Sequence, residues 1–221
     1  MILSKTLNLS CIHMSNLNIL RTYAQKPASL PASIKFKETP KNITIFDIYP
    51  KSIFHFLVLP RIQPPKLTAG TLNNLQTLLS GDQACAKEVI LGLAEDAKTV
   101  KEEIQKEMIQ RFGFKWDVWI GFHGAPSMSC VLLKISTFST FIHAILMIRN
   151  IRHLHLHIIS ADLCSEKMKN KKHYNSFHPK LGFFLHIDEV TSWFDADHTF
   201  FSTKVSRCFP CYRSSPYNTG A

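Results

Sequence analysis

His153-Leu154-His155-Leu156-His157-Ile158-Ile159 alternates imidazoles with branched aliphatics over seven residues. Period-two alternation of this kind reads as a half-buried β-strand. Alternate side chains on a strand share a face at intervals of about 7 Å. His153, His155 and His157 are therefore expected along one side, with Leu154, Leu156 and Ile158 turned into the core. Three readings of that face are open. It could be a solvated or hydrogen-bonded histidine-rich strand. It could be part of a metal site using His-x-His, although no third-ligand motif is evident. Or it could be a site of nucleophilic imidazole catalysis, which gives three titratable rings on one face the clearest purpose.

Working outward, Ile43-Thr44-Ile45-Phe46 and His55-Phe56-Leu57-Val58-Leu59 are β-branched or aromatic runs separated by Asp47 to Lys51 and closed by Pro60. They read as strand, turn, strand. Residues 61 to 69 are a Pro-rich connection. Helical spacing follows at Leu72, Leu75, Leu78 and Leu79. It returns at Val89, Ile90, Leu93, Val100, Ile104 and Met108, with Gly113 as the stop. Trp116, Val118 and Ile120 alternate as a third strand, residues 153 to 160 form a fourth, and Leu181 to Ile187 reads as another short one. Strands on either side of a helical pair predict an α+β domain with an antiparallel sheet and packed helices.

A chain of 221 residues fits one ordinary domain with a modest appendage. Its 45% apolar content excludes wholesale disorder, and 26 Lys plus Arg against 16 Asp plus Glu give a formal charge of +10. That balance favours an anionic partner, either nucleic acid or an acidic membrane surface. The six cysteines are scattered apart from Cys208-x-x-Cys211, which fits a reducing compartment better than a disulfide framework. Residues 1 to 37 carry no acid. They read as a basic amphipathic lead-in helix with Leu17, Ile19, Leu20 and Tyr23 on its apolar side, ended by Pro27 and Pro31. A mitochondrial presequence is the alternative for that opening.

The pattern His-φ-His-φ-His-φ-φ resembles the signature of the histidine triad hydrolases and transferases of nucleotides. Further stretches narrow the resemblance to the aprataxin branch. They are Leu20 to Pro27, Asp47-Ile48-Tyr49-Pro50-Lys51, His55 to Pro60, Gly121 to Ser129 with its Pro126-Ser127-Met128, and Lys169-Asn170-Lys171-Lys172-His173-Tyr174-Asn175-Ser176-Phe177. They occur in the family's order across roughly residues 20 to 210, and the Leu-Arg-Thr-Tyr opening is similar to fungal members. The resemblance implies a histidine triad fold and a DNA 5′-adenylate hydrolase of single-strand break repair, acting through a covalent AMP–histidine intermediate in the nucleus. It implies His155 as nucleophile, His157 orienting it, His153 supporting the site and His123 as the second catalytic histidine. Asp47, Lys51, His55, Ser127 and Met128 are implied in nucleotide and phosphate binding. Lys169, Lys171, Lys172, His173 and Tyr174 are implied in DNA contact, with 5′-adenylated nicked or broken DNA as partner, AMP as product, no membrane, a monomer, and no cofactor for catalysis. Taken alone, His123 also reads as a packed strand-end histidine, His55 as a half-buried one, Asp47 as a turn residue and the lysine run as a solvated face. A small-nucleotide triad hydrolase (a phosphoramidase or dinucleoside polyphosphate hydrolase) and a catalytically impaired DNA-binding relic remain the alternatives.

Two segments depart from that family. Cys130 to Arg152 adds 23 residues between Ser129 and His153, strongly apolar from Val131 to Ile148. It reads as a retained intron in frame, with a lineage-specific loop as the alternative. Lys134, His143 and its Ser/Thr content argue against a membrane span. The tail, Arg207-Cys208-Phe209-Pro210-Cys211, is similar to the first half of the family's C-terminal zinc finger, but no histidine follows. Cys208 and Cys211 are an incomplete metal site, and two ligands do not hold structural zinc. The expected layout is a basic arm and helix over 1–30, the catalytic domain over 31–200 with its insert at 130–152, and a truncated finger-like tail over 201–221.

Overall fold

Strand alternation and one long helix build the platform that carries the histidines. The computed structural model describes residues 18–123, 152–178 and 181–208. Six strands form one antiparallel sheet: β1 (Lys35–Glu38), β2 (Asn42–Phe46), β3 (His55–Pro60), β4 (Val118–His123), β5 (Leu156–Ser160) and β6 (Phe184–His186), in the spatial order β1-β2-β3-β5-β4-β6. The mixed helix and antiparallel-sheet class expected from the sequence is the one found.

One sheet face packs on α3 (Gln83–Phe112), whose Val89, Ile90, Leu93, Ala97, Val100, Ile104 and Met108 meet Phe56, Val58, Leu156, Ile158, Val118 and Phe122 in the main core. Asp82 caps the start of α3 by accepting from the Cys85 amide. Gly113 ends it at φ +75°, a conformation that costs glycine little. Leu75–Leu79 forms the short α2, capped by Asn74. On the opposite face α1 (Ile19–Gln25) lays Leu20 and Ala24 over Ile43, Ile45, Leu57 and Leu59. Register decides what else that face carries. Leu57 opposes His157, His55 opposes Ile159, and Gly121 opposes His157 from the other side. Directly opposed residues share a face, so the histidines lie beside α1 and away from α3.

Several expectations change. β5 begins only at Leu156, so His153 and His155 precede the strand and the three rings do not form one evenly spaced row. His153 has φ +128°, and its amide donates to the Asn73 carbonyl, while Leu154 donates to that of Leu72. Those bonds draw the backbone out of the ladder. The last predicted strand is reduced to β6, because α5 (Ile187–Ser192) takes over at once. β1, α4 (Lys171–Phe177), α5 and α6 (His198–Cys208) carry no clear sequence periodicity. Phe201 and Val205 of α6 join the main core, so the folded unit runs past the boundary drawn at residue 200. Beyond α6 the expected finger-like tail lies outside the described residues, as do residues 1–17 of the arm and 130–151 of the insert. Among the described residues no helix is long and apolar enough to cross a membrane.

Candidate active site

His55 opens β3, His157 is second on β5, His123 closes β4, and His155 stands just before β5. The network among them assigns each proton. The Lys51 amide donates to His55 Nδ1 at 3.1 Å, so that nitrogen is an acceptor and Nε2 carries the hydrogen. His55 Nε2 lies 3.0 Å from His157 Nδ1, and His157 Nε2 lies 3.1 Å from His123 Nδ1. Each ring then receives at Nδ1 and donates from Nε2. The series ends at His123 Nε2, a buried N–H with no partner among the described residues. An orphan buried donor costs about 1–3 kcal/mol, a cost that an incoming acceptor would relieve.

His155 stands apart from this series. Its Nδ1 donates to the His153 carbonyl at 2.8 Å, which leaves the Nε2 lone pair free. The expectation that His157 orients His155 is not what the hydrogen bonds show. His157 bonds to His55 and His123, while the rings of His155 and His157 meet edge to face with centroids 4.9 Å apart. His153 is also a different participant from the one expected: its ring donates from Nε2 to the Pro60 carbonyl, and its backbone oxygen is what reaches His155.

Burial keeps these rings neutral. It lowers His55 to about 4, partly opposed by the nearby Asp47 carboxylate. Burial lowers His123 to about 3, helped by the neighbouring His155, His55 and Lys51, and lowers His153 to about 4 against the Pro60 hydrogen bond. His155 is lowered too, chiefly by burial, and His157 is pushed well down by burial and the surrounding histidines. Much of the covering comes from Phe177 of α4, whose ring centroid is 4.7 Å from His123, 5.7 Å from His157 and 5.8 Å from His55. Phe184 of β6 closes the far side. Gly121 makes room for it, since a β-carbon there would stand 2.7 Å from the Phe184 ring and collide with the Leu185 carbonyl oxygen.

Asp47 Oδ2 sits 3.3 Å from His55 Nδ1, and Oδ1 accepts from the Tyr49 amide. Lys51 folds its Nζ onto the Tyr49 carbonyl, and partial burial lowers its pKa against the pull of Asp47. Asp47, His55 and His157 place donor atoms within 4.8 Å of one another. A tetrahedral zinc site needs ligand atoms only about 3.4 Å apart, and the His55–His157 hydrogen bond already uses two of these donors. The set therefore fits a hydrogen-bonded relay better than a metal.

Known proteins share this arrangement's fold and sequence to differing extents. No family model matches the chain. The chain is 29% identical to aprataxin of Gallus gallus over 150 residues, covering 68% of this chain and 34% of that protein. It is 26% identical to the aprataxin-like protein of Saccharomyces cerevisiae over 190 residues, covering 77% of this chain and 72% of the relative. The crystal structure of aprataxin ortholog Hnt3 in complex with DNA superposes with a TM-score of 0.54 at 21% identity, covering 84% of this chain and 80% of that one, and shows a shared fold. The chain is similar to aprataxins. It spans 35% of a HIT domain-containing protein of Dictyostelium discoideum and 34% of the Gallus gallus aprataxin, about a third of each.

The aprataxin-like motifs land in several places. Asp47, Lys51, His55, His123, His155 and His157 converge on one face, with His153 supporting through its backbone. Lys169 and Lys171 are exposed where α4 begins, and Tyr174 is 45% exposed on that helix. Lys172 belongs to α4 by its backbone, and His173 Nδ1 is buried without a hydrogen-bond partner among the described residues. Ser127, Met128 and Cys211 lie outside the described residues. Cys208 is the last residue of α6. Phe177, expected with Tyr174 as an aromatic able to stack on an end base pair, is instead buried against the histidines; Leu72, expected in the helical stripe, precedes α2, and Phe184 has no expected site role. Phe177 closes a motif already singled out, whereas nothing in residues 72–73 hints at a contact with His153.

Proposed function

We propose that this chain is a DNA 5′-adenylate hydrolase that removes AMP from abortive ligation intermediates in single-strand break repair. The observation that carries the reading is the protonation pattern at His155: Nδ1–H is spent on the His153 carbonyl, and Nε2 is left as an unshared nucleophile. In the first step Nε2 attacks the α-phosphorus of the adenylate. A P–N bond forms, the anhydride P–O bond breaks, and the DNA 5′-phosphate leaves. The positive charge that develops on the His155 ring is met by the His153 oxygen. Water then attacks phosphorus and gives up one proton to the solvent, the P–N bond breaks, AMP departs and the neutral ring returns. His123 Nε2–H is the donor for the phosphoryl oxygen that gains charge. Asp47 serves the ribose hydroxyls, and Lys51 and His55 serve the phosphate side. Ser127 and Met128 complete the phosphate cradle by family resemblance.

Lys169, Lys171, Lys172, His173 and Tyr174 would bind the DNA backbone and end base pair, placing a basic helix directly over the relay that Phe177 covers. The protein would act as a nuclear monomer, with the mitochondrion as the alternative compartment. Zinc belongs to the family's finger, and the Cys208–Cys211 pair alone does not hold it. The insert at 130–152 is proposed to be a retained intron; sequencing the transcript across codons 129 to 153 decides that. AMP release from 5′-adenylated nicked duplex, compared with release from an adenylylated amine and a dinucleoside polyphosphate, tests the substrate. Preference for the nicked duplex is expected. Preference for either small nucleotide would favour the small-nucleotide reading, and DNA binding without AMP release would favour the relic.

A further inference from the structure

The acceptor on which the His155 assignment depends is a carbonyl outside the sheet. Pairing of β5 with β3 starts at Val58↔Leu156, so no ladder bond orients the His153 peptide. His153 moreover sits at φ +128°, which a residue with a β-carbon adopts only when its surroundings impose it. The imposing contacts come from the turn before α2. The Asn73 carbonyl takes the His153 amide at 3.1 Å, and the Leu72 carbonyl takes the Leu154 amide at 2.7 Å.

That turn is itself irregular backbone, tied to the rest of the fold by Leu72 in the main core and, at Asn73, by a side chain from α1. Arg21 Nη2 donates to Asn73 Oδ1 at 3.1 Å and to the Ala69 carbonyl at 3.3 Å. Arg21 makes no ion pair among the described residues, and its Nε is buried without a partner. A guanidinium spent on neutral acceptors in a half-buried turn is serving geometry. Leu20 and Ala24, on either side of it, fix α1 to the histidine face. We infer that Arg21 and Asn73 are positioning residues for the nucleophile. They hold the 69–73 turn against α1, the turn holds His153, and the His153 carbonyl keeps His155 in its Nδ1–H tautomer. Three hydrogen bonds in series, Arg21–Asn73, Asn73–His153 and His153–His155, thereby connect α1 to the attacking nitrogen. The catalytic meaning of this rests on the hydrolase reading; the structural link does not.

The test separates a positioning role from a DNA-phosphate contact by Arg21. Asn73→Ala, Arg21→Gln and the conservative Asn73→Asp, which keeps an acceptor for Arg21, are made in the full chain. Two properties are read: AMP release from an adenylylated amine without DNA, and the His155 tautomer from ring-nitrogen NMR. Asn73→Ala and Arg21→Gln should lower kcat about tenfold or more with KM nearly unchanged. The His155 signal should change from a single Nδ1–H form to a mixture, and Asn73→Asp should restore both. An Arg21→Gln protein that keeps its small-substrate kcat and its His155 tautomer, losing only affinity for DNA, would overturn the inference. If the unaltered chain releases no AMP from any substrate, the hydrolase reading falls, and the tautomer spectra still decide the link.

Discussion

Mild acid should unfold this protein, with a steepness that reports the buried imidazoles. His55, His123 and His153 are lowered to about 4, 3 and 4, and His155 and His157 are lowered as well, burial being the main cause each time. In an unfolded chain each ring takes a proton near pH 6.5. The unfolded state therefore binds more protons between about pH 6.5 and 4, so stability is complete above that window and is lost as pH falls through it. One histidine that cannot charge in the fold costs about 1.4 kcal/mol at pH 5.5 relative to neutral pH. His55, His123 and His153 together cost about 4 kcal/mol, a large part of the stability of a typical domain, and the lowered His155 and His157 act in the same direction. Urea unfolding followed by tryptophan fluorescence, at steps from about pH 7.5 to about pH 5.5, measures this. The midpoint should fall steeply while the m-value holds, with a fitted proton uptake of about three or more. A midpoint unchanged down to about pH 5.5 would mean that the rings charge in the native state, and the neutral relay would be wrong.

The cover and the DNA edge give further expectations. Phe177→Ala should cost about 3–5 kcal/mol and, by letting water reach His55, His123 and His157, flatten the pH dependence of stability; an unchanged slope would show that Phe177 is not what keeps them dry. Gly121→Ala should lower stability by about 2–3 kcal/mol, because β6 must yield at Leu185 and Phe184; a thermal midpoint like that of the unaltered chain would contradict the close approach. Changing Lys169, Lys171 and Lys172 together to Ala should weaken DNA binding and reduce the salt slope by about one unit for each phosphate no longer neutralised, with turnover of a small adenylate little altered; an unaltered slope would leave the run as a solvated surface.

Much of the platform was legible because it obeys simple periods. Val89 to Met108 repeat at helical spacing and Gly113 stops them, and Ile43 to Phe46 and His55 to Leu59 alternate or run apolar between turn residues. The histidines could be named from the sequence, but their partners could not. A period of two says which residues share a face; it cannot say that a turn far upstream, at residues 72–73, captures the His153 amide and ends the ladder early. Nor does it foresee that His157 joins His55 and His123 rather than His155. The helices after β5 were missed for a related reason. α4 is polar apart from the aromatic that plugs the site, and α5 and α6 are held by tertiary contacts of Val190, Phe201 and Val205 more than by a regular apolar stripe.

Trapping the reaction intermediate tests the central claim most directly. The full chain is mixed with 5′-adenylated nicked duplex, quenched rapidly under conditions that preserve a phosphorus–nitrogen bond, and the site of the AMP adduct is mapped by mass spectrometry. AMP is expected on His155, absent from His155→Ala and, in the unaltered chain, declining as free AMP accumulates. AMP found on another residue, or released at an undiminished rate by His155→Ala, would contradict the assignment of His155 as nucleophile.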